Sequence, residues 1–464
     1  MALASSAWTE PTGFTGTGGR EKDGVGSTKA ESRGARLGRV ARAVGEATRP
    51  RRYSAGALVA HGVTGRPWRP AWRHHELGST YDAVIVGAGV HGLATAYHLA
   101  RDHGVRKVAV LDKGYLGGGS SGRTSGIVWS NYLTPEGVRF YDRSLRLYGE
   151  LSGELNFNVM FSPRGHLTLA HSDASLRAMR WRAEVSKLHG VDSEVVGPEE
   201  VRRLVPLADV SSRARYPIMG ALYHPSGGTV RHDAVNWGYA RAADALGVEI
   251  HQGTEVLAIS TAGDRVTGVT TNRGEVSTPV VVSCTAGWAS LVSDMVGLSM
   301  PIITRPLQAA VTEPVQVLLD AVVVSGTLDV QVSQTDRGEL VLGASPDPFA
   351  SYSMRGSLEF TEEVAGRVLQ LMPSVAPMRL LRQWSGLCDI TPDLSPIMGP
   401  TPVEGFLVDV GWGTNGFMAG PAAGQAMAEL VATSRTPELM AAFDLARFAE
   451  GRLVEERDAA GVGH

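Results

Sequence analysis

Cysteine is scarce in this sequence: Cys284 and Cys388 are the two present in 464 residues. Two thiols cannot build a disulfide framework, nor a zinc site by themselves, and a reducing compartment suits them best. Long apolar runs are also missing, since no stretch reaches the roughly 18 residues that a membrane helix requires. The pair Arg51-Arg52 ahead of the apolar run Ala55 to Ala60 has the outline of a twin-arginine export signal. That run is too short, however, and Arg66, Arg69 and Arg73 follow it closely. A cytoplasmic protein is therefore expected.

Neither sign of charge dominates, with a net charge of −3. Residues 1–80 nevertheless carry 13 Lys/Arg against 6 Asp/Glu, a balance of +7 that leaves −10 on the remainder. A basic head could meet nucleic acid, a membrane or a partner, but a solvated tail is the expected reading, and neither nucleic acid nor membrane is expected as a partner. Residues 1–78 lack any sustained apolar period, so burial could not offset their ordering entropy, and a disordered extension is expected there.

From Tyr81 onward the pattern changes. Asp82 to Val86 and Lys107 to Leu111 read as short buried strands around a helical segment from Val90 to His103. Helices are expected over 136–152, 173–190, 232–246 and 358–372, with strands near 165–170, 249–251, 255–260, 266–271 and 279–284. Residues 305–345 alternate in strand fashion. Phe406 to Val410 is a last strand, before a glycine loop and a helix through Val431. Interleaved helices and strands point to two domains threaded through one another.

Three glycine-rich segments carry the chemistry. The first, Gly87-Ala-Gly89-Val90-His91-Gly92, lies between a strand and a helix, with Asp112 closing the next strand. Gly87 permits the tight turn, Gly89 lets the backbone approach a pyrophosphate, and Gly92 lets helix pack on strand. The N-terminus of the helix, at Val90 and His91, offers N–H donors and positive dipole to the phosphates. Asp112 suits unphosphorylated ribose hydroxyls, and together these features imply FAD. The second segment runs through Lys113, Gly119, Ser120, Ser121, Arg123, Thr124 and Ser125, where glycines and hydroxyls can wrap the far phosphate and the ribityl chain. The third, Gly411-Trp-Gly413-Thr414-Asn-Gly416, opens a late helix whose N-terminus could stabilise negative charge on a reduced flavin ring.

Residues from about 80 to the end resemble the β subunit of heterotetrameric sarcosine oxidases, in the D-amino-acid oxidase class of flavoenzymes. The carrying pieces are Tyr81 to Tyr97, Lys113 to Gly119, Asn156 to Phe161, Ala214 to Gly220, Gly227 to Asp233, Arg382-Gln-Trp384 and Gly411-Trp-Gly413. The resemblance implies an α/β fold in which a Rossmann-like FAD-binding domain (79–135, 226–296 and 386–448) interleaves with an α+β substrate domain (136–225 and 297–385). A C-terminal tail over 449–464 would follow. It implies noncovalent FAD, adds Val256 to the cofactor contacts, and places a covalent FMN on His232 at the boundary with an α-like subunit. It also implies oxidation of the C–N bond of a small secondary or tertiary amine. By residue type alone, a histidine such as His232 at the start of an apolar helix is more often a capping or surface residue.

Two departures stand out. Where the family holds the sarcosine carboxylate with an arginine and a lysine, this chain has Trp129 and Met418, and no lysine follows Lys187. Trp129 could present its ring to an amine cation or could be core packing. Either the substrate lacks a carboxylate at that place, or the chain is a non-catalytic flavin-binding subunit that carries electrons or scaffolds a complex.

Overall fold

The structure is a computed structural model that describes residues 55–65, 68 and 70–456. It divides into two units, residues 1–69 and 70–464. In the first unit, Ala55–Thr64 forms a helix, and His61 stacks on Trp68 with ring centroids 4.0 Å apart. Residues 1–54 of the expected extension lie outside the described residues. Among the described residues no helix is long and apolar enough to cross a membrane.

The second unit is built on a six-stranded sheet. Its strands are β1 (Ala83–Val86), β2 (Val108–Asp112), β3 (Glu249–Gln252), β4 (Val281–Ser283), β5 (Ile397–Pro400) and β6 (Phe406–Val410), in the order β5-β6-β4-β1-β2-β3. All pairs are parallel except β5 with β6. β1 and β4 are buried along their whole length, as continuous apolar runs in a parallel sheet require. Helices α1 (Val90–Asp102), α2 (Pro135–Glu154), α3 (His232–Ala245) and α4 (Gly416–Thr433) supply most of the rest of the principal core cluster.

α4 packs very tightly on α1. A Cβ on Gly420 would meet Val90 Cγ2 at 2.5 Å, and one on Gly424 would overlap Ala94. Glycines at this spacing therefore set how near the two helices lie, and bring their N-termini to one place. α2 pins the first turn of α4: Ser144 Oγ donates to the Met418 carbonyl at 2.7 Å and Tyr148 Oη to the Phe417 carbonyl at 2.6 Å.

The second large sheet has eight strands, from 380–390 through 303–312, 340–343, 330–334, 322–325, 166–170 and 220–224 to 194–196. It is antiparallel except where 322–325 runs parallel to 166–170. A three-stranded meander of residues 256–277 and an antiparallel pair, Ile127–Val128 with Gly228–Thr229, complete the sheet structure.

Four boundaries move from their expected places. The helix over 135–154, assigned to the substrate domain, buries its apolar face in the cluster of α1 and α4. The strand Leu380–Ile390 crosses the boundary set at 385/386, because it pairs along its length with Ile303–Thr312. The extension does not run to residue 78: Trp72 and Leu77 pack on core clusters, and the Arg73 guanidinium and His75 imidazole reach the buried Asp244 carboxylate at 3.2 and 3.3 Å. The C-terminal tail does not begin at 449, for residues 451–456 fold back onto the domain. There Ser395 Oγ donates to the Val454 carbonyl at 2.6 Å, and the buried Glu456 carboxylate accepts from the Leu133 and Thr134 N–H groups at 3.0 Å. Burial pushes the Glu456 carboxyl up to about 7, against these donors.

A chain beginning at Pro70 is compared with one beginning at Ser79. Both are expected to fold and hold FAD, and the Ser79 form should be less stable by about 1–3 kcal/mol, the cost of leaving a buried acceptor unpaired. Denaturant melts monitored by circular dichroism check this, and superimposable curves would contradict it.

Candidate active site

Gly87 has φ +110°, and any Cβ there would overlap the Cys284 carbonyl oxygen beyond β4. A Cβ on Gly92 would overlap the Gly87 carbonyl oxygen and meet Ile85 at 3.1 Å, so both glycines shape the turn itself. Gly89 differs. Its backbone is extended, with φ −83°, and a Cβ would meet only Ser121, with Oγ nearest at 2.9 Å. Gly89 thus leaves bare backbone at the start of α1. Asp112 closes β2, its Oδ2 accepting from the Ala88 N–H and its Oδ1 from the Gly114 N–H, each at 2.8 Å. Burial raises its carboxyl above the ordinary range, and the two N–H groups pull the other way.

The second glycine segment is stitched to both large sheets. The Gly117 N–H donates to the Ala88 carbonyl at 2.9 Å, and Ser121 Oγ accepts from the Val90 N–H at 3.0 Å. On its other side Ser120 Oγ donates to the Leu387 carbonyl at 2.8 Å, and Trp384 Nε1 to the Arg123 carbonyl at 2.7 Å.

The third segment is locked by three buried groups that sequence alone did not single out, Asp389, Asp409 and Trp412. Asp389 Oδ2 accepts from the Gly411 N–H at 2.6 Å, and burial pushes this carboxyl up to about 6. Asp409, on β6, accepts from Trp412 Nε1 at 2.7 Å and faces His91 Nδ1 at 2.9 Å. His91 Nε2 lies 2.7 Å from the Gly416 carbonyl. Both ring nitrogens therefore face acceptors, which suits the doubly protonated imidazolium. Burial alone would lower His91, but the Asp409 carboxylate outweighs it and the group is raised. The ion pair ties the start of α1 to β6, and the bond to the Gly416 carbonyl ties it to the start of α4. An acidic residue inside a buried strand such as β6 was the signal available, since a buried carboxylate needs partners.

These segments surround one cavity of about 730 Å³. Seventeen of the residues singled out above line it, from Gly87, Asp112 and Val256 to Gly413, Thr414 and Gly416, with Trp129 and Met418 among them. Val90, Gly92, Gly411 and His232 do not. Val90 is buried beneath the turn, Gly92 packs back on Gly87, and Gly411 (φ +75°) supplies the N–H held by Asp389. His232 opens α3 away from the cavity wall. Its Nδ1 is buried without a partner, and burial lowers its pKa, which keeps the imidazole neutral. Asp233 does not hold that ring: it pairs with Arg231 at 2.8 and 2.9 Å and accepts from the Ala234 N–H.

Trp129 and Met418 meet in one wall. Tyr132 Oη donates to Met418 Sδ at 2.9 Å, and Trp129 stacks near-parallel on Tyr132 and on His166, with centroids 6.0 and 4.8 Å apart. The cations at the cavity wall are His91, Lys113, Arg123 and Arg305. Among the described residues no group of three His, Cys, Asp or Glu could hold a metal ion.

Two helix N-termini, an acid at the end of β2 and three glycine loops converging on one cavity define a dinucleotide-binding flavoprotein, and the bare backbone at Gly89 fits the pyrophosphate of FAD. The chain belongs to the FAD-dependent oxidoreductase family, whose model matches residues 82–430. Within it the chain stands with the sarcosine oxidase β subunits, among the amine-oxidising flavoenzymes. It is 44% identical over 415 residues to sarcosine oxidase subunit beta of Rhodobacter capsulatus, covering 89% of this chain and 100% of that one. The corresponding protein of Rhizobium meliloti is 44% identical over 407 residues, 88% of this chain and 98% of its own. Among solved structures, L-proline dehydrogenase from P. horikoshii superimposes with a TM-score of 0.77 at 28% identity, covering 82% of this chain and 100% of that one.

Proposed function

We propose that the chain oxidises the C–N bond of a small secondary or tertiary amine other than sarcosine, as the β-like subunit of a hetero-oligomer. The observation that carries this is the wall made by Trp129 and Met418, backed by the buried Tyr132, inside a cavity otherwise built for FAD. When bound, FAD supplies the hydride acceptor. The Gly89 backbone and the start of α1 would hold its pyrophosphate, Asp112 its ribose, and the start of α4 the ring.

The side chains orient the amine and exclude water. Hydride leaves the carbon next to nitrogen while the nitrogen lone pair forms the C=N bond, and water then splits the resulting iminium into amine and aldehyde. A neutral amine needs no strong base, and the carboxylates beside the glycine loops are already engaged: Asp389 and Asp409 by backbone N–H, indole and imidazolium. Asp112 is engaged by two N–H groups.

Replacing two family cations by apolar groups removes charge-assisted contacts worth about 1.5–3 kcal/mol each. Sarcosine is therefore expected to reduce the flavin poorly, and the double variant Trp129→Arg with Met418→Lys should bind it at least about 10-fold more tightly. Stopped-flow flavin bleaching measures both. Wild-type reduction by low-millimolar sarcosine as fast as by any other amine tested would contradict the proposal.

His232 fits a flavin tether: it is a neutral, half-buried imidazole with a buried, unpartnered Nδ1, outside the FAD cavity. Electrons would pass from the amine to FAD and on to FMN held there, or to another acceptor. The second reading, a non-catalytic flavin subunit, is favoured by the stacking of Trp129 on two rings, which makes that wall solid. Amine-dependent bleaching separates the two.

A further inference from the structure

We infer that the cavity contains a carboxylate subsite on the eight-stranded sheet, centred on Arg305 with Arg123, and that the substrate is an amine carrying a carboxylate held there. This rests on the amine-oxidase reading and names its substrate class.

Register places the subsite. Arg305 pairs with Cys388, Leu307 with Gly386 and Ala309 with Trp384, so these side chains share one face of the sheet. Gly343 stands beside Ala309 on one side and Gln331 on the other, extending the same face. The two glycines let long polar groups lie flat on the sheet. Arg123 lies over Gly386, where a Cβ would meet Arg123 Cβ at 3.3 Å, and the Gln331 side chain covers Gly343. Arg305, Arg123 and Gln331 all face the cavity.

The two guanidiniums have no anion of their own. Neither forms an ion pair with a described residue, and each has a buried Nε without an acceptor, which is costly unless a ligand supplies one. The other wall cations are committed: His91 to Asp409, and Lys113 to the face of Trp288 at 4.2 Å, next to Asp112. Two guanidiniums side by side on one sheet face match a planar carboxylate. The cofactor phosphates belong at the start of α1, beside Ser121, whereas Arg305 rises from the other sheet. The carboxylate recognition lost at Trp129 and Met418 is thus recovered on a different wall, which shifts preference toward amines whose carboxylate is placed differently from that of sarcosine.

The test uses the FAD-loaded full-length chain, titrated with cyclohexanecarboxylate and the uncharged cyclohexanecarboxamide while flavin absorbance is followed. The carboxylate should bind at least 10-fold more tightly than the carboxamide. Arg305→Gln should abolish that preference without loss of FAD, and Arg305→Lys should restore part of it. Equal binding of the two probes, an unchanged preference in Arg305→Gln, or loss of FAD from that variant would each overturn the subsite. Amine oxidation fails separately: it is contradicted if no amine bleaches the flavin even though the carboxylate preference is present, and it stands if a neutral amine bleaches the flavin while both probes bind alike.

Discussion

Gly89→Val protein is expected to purify folded and colourless. The backbone at residue 89 is extended, a conformation valine adopts readily, and the nearest obstacle is the Ser121 hydroxyl, which can rotate aside. The branched side chain would then occupy the surface left for the pyrophosphate, so FAD should be excluded while circular dichroism stays that of the wild type. With free FAD at about 100 times its dissociation constant, the wild-type protein should gain about 2.7 kcal/mol of stability and the variant nothing. Gly92→Ala is the contrasting case. Its Cβ would overlap the Gly87 carbonyl, so the turn itself is expected to fail and the protein to be insoluble or unfolded. A stable Gly89→Val protein that keeps its flavin would remove FAD from this cavity.

The second large effect concerns His232. In the assembled complex, His232→Ala should retain its full FAD content, because residue 232 is not part of the cavity wall. It should lose all covalent flavin and transfer electrons to the final acceptor more slowly. The β-like chain expressed alone should carry little covalent flavin, and co-expression with its partner should yield a flavinylated peptide spanning Arg231 to Arg241. Mass spectrometry that finds residue 232 unmodified in the assembled complex would leave a single-flavin dehydrogenase.

The local unit of strand, glycine turn, helix and strand was legible because each part has a short-range cause: buried β-branched runs, glycines at the turn and an acid closing β2. Phe406–Val410 matched residue for residue, and the helices over 135–154, 173–188, 232–245 and 358–371 were found to within a few positions. What stayed hidden depends on distant chain. The helix Pro135–Glu154 shows an apolar stripe, but nothing in its residues says that α4 covers it. Leu380–Ile390 mixes Arg, Gln, Trp, Ser and Gly, and becomes an 11-residue strand because Ile303–Thr312 pairs with it. His91 was visible as a residue in a glycine turn. Its ion pair with Asp409, 318 residues later, was not. Glu456 looked like part of a polar tail, yet its carboxylate fills the N–H groups ahead of α2. Trp129 and Met418, singled out by their positions in the sequence, are joined in one wall through Tyr132.

Amine oxidation itself is tested most directly by anaerobic flavin reduction. The FAD-loaded protein, with its partner subunit, is mixed with a panel of secondary and tertiary amines that includes sarcosine, neutral amines and longer N-methyl amino acids, and the flavin absorbance band is followed. At least one amine should bleach the band within the mixing experiment, faster than sarcosine does. If dithionite bleaches the flavin and no amine does, the chain is a flavin-binding subunit without amine oxidase activity.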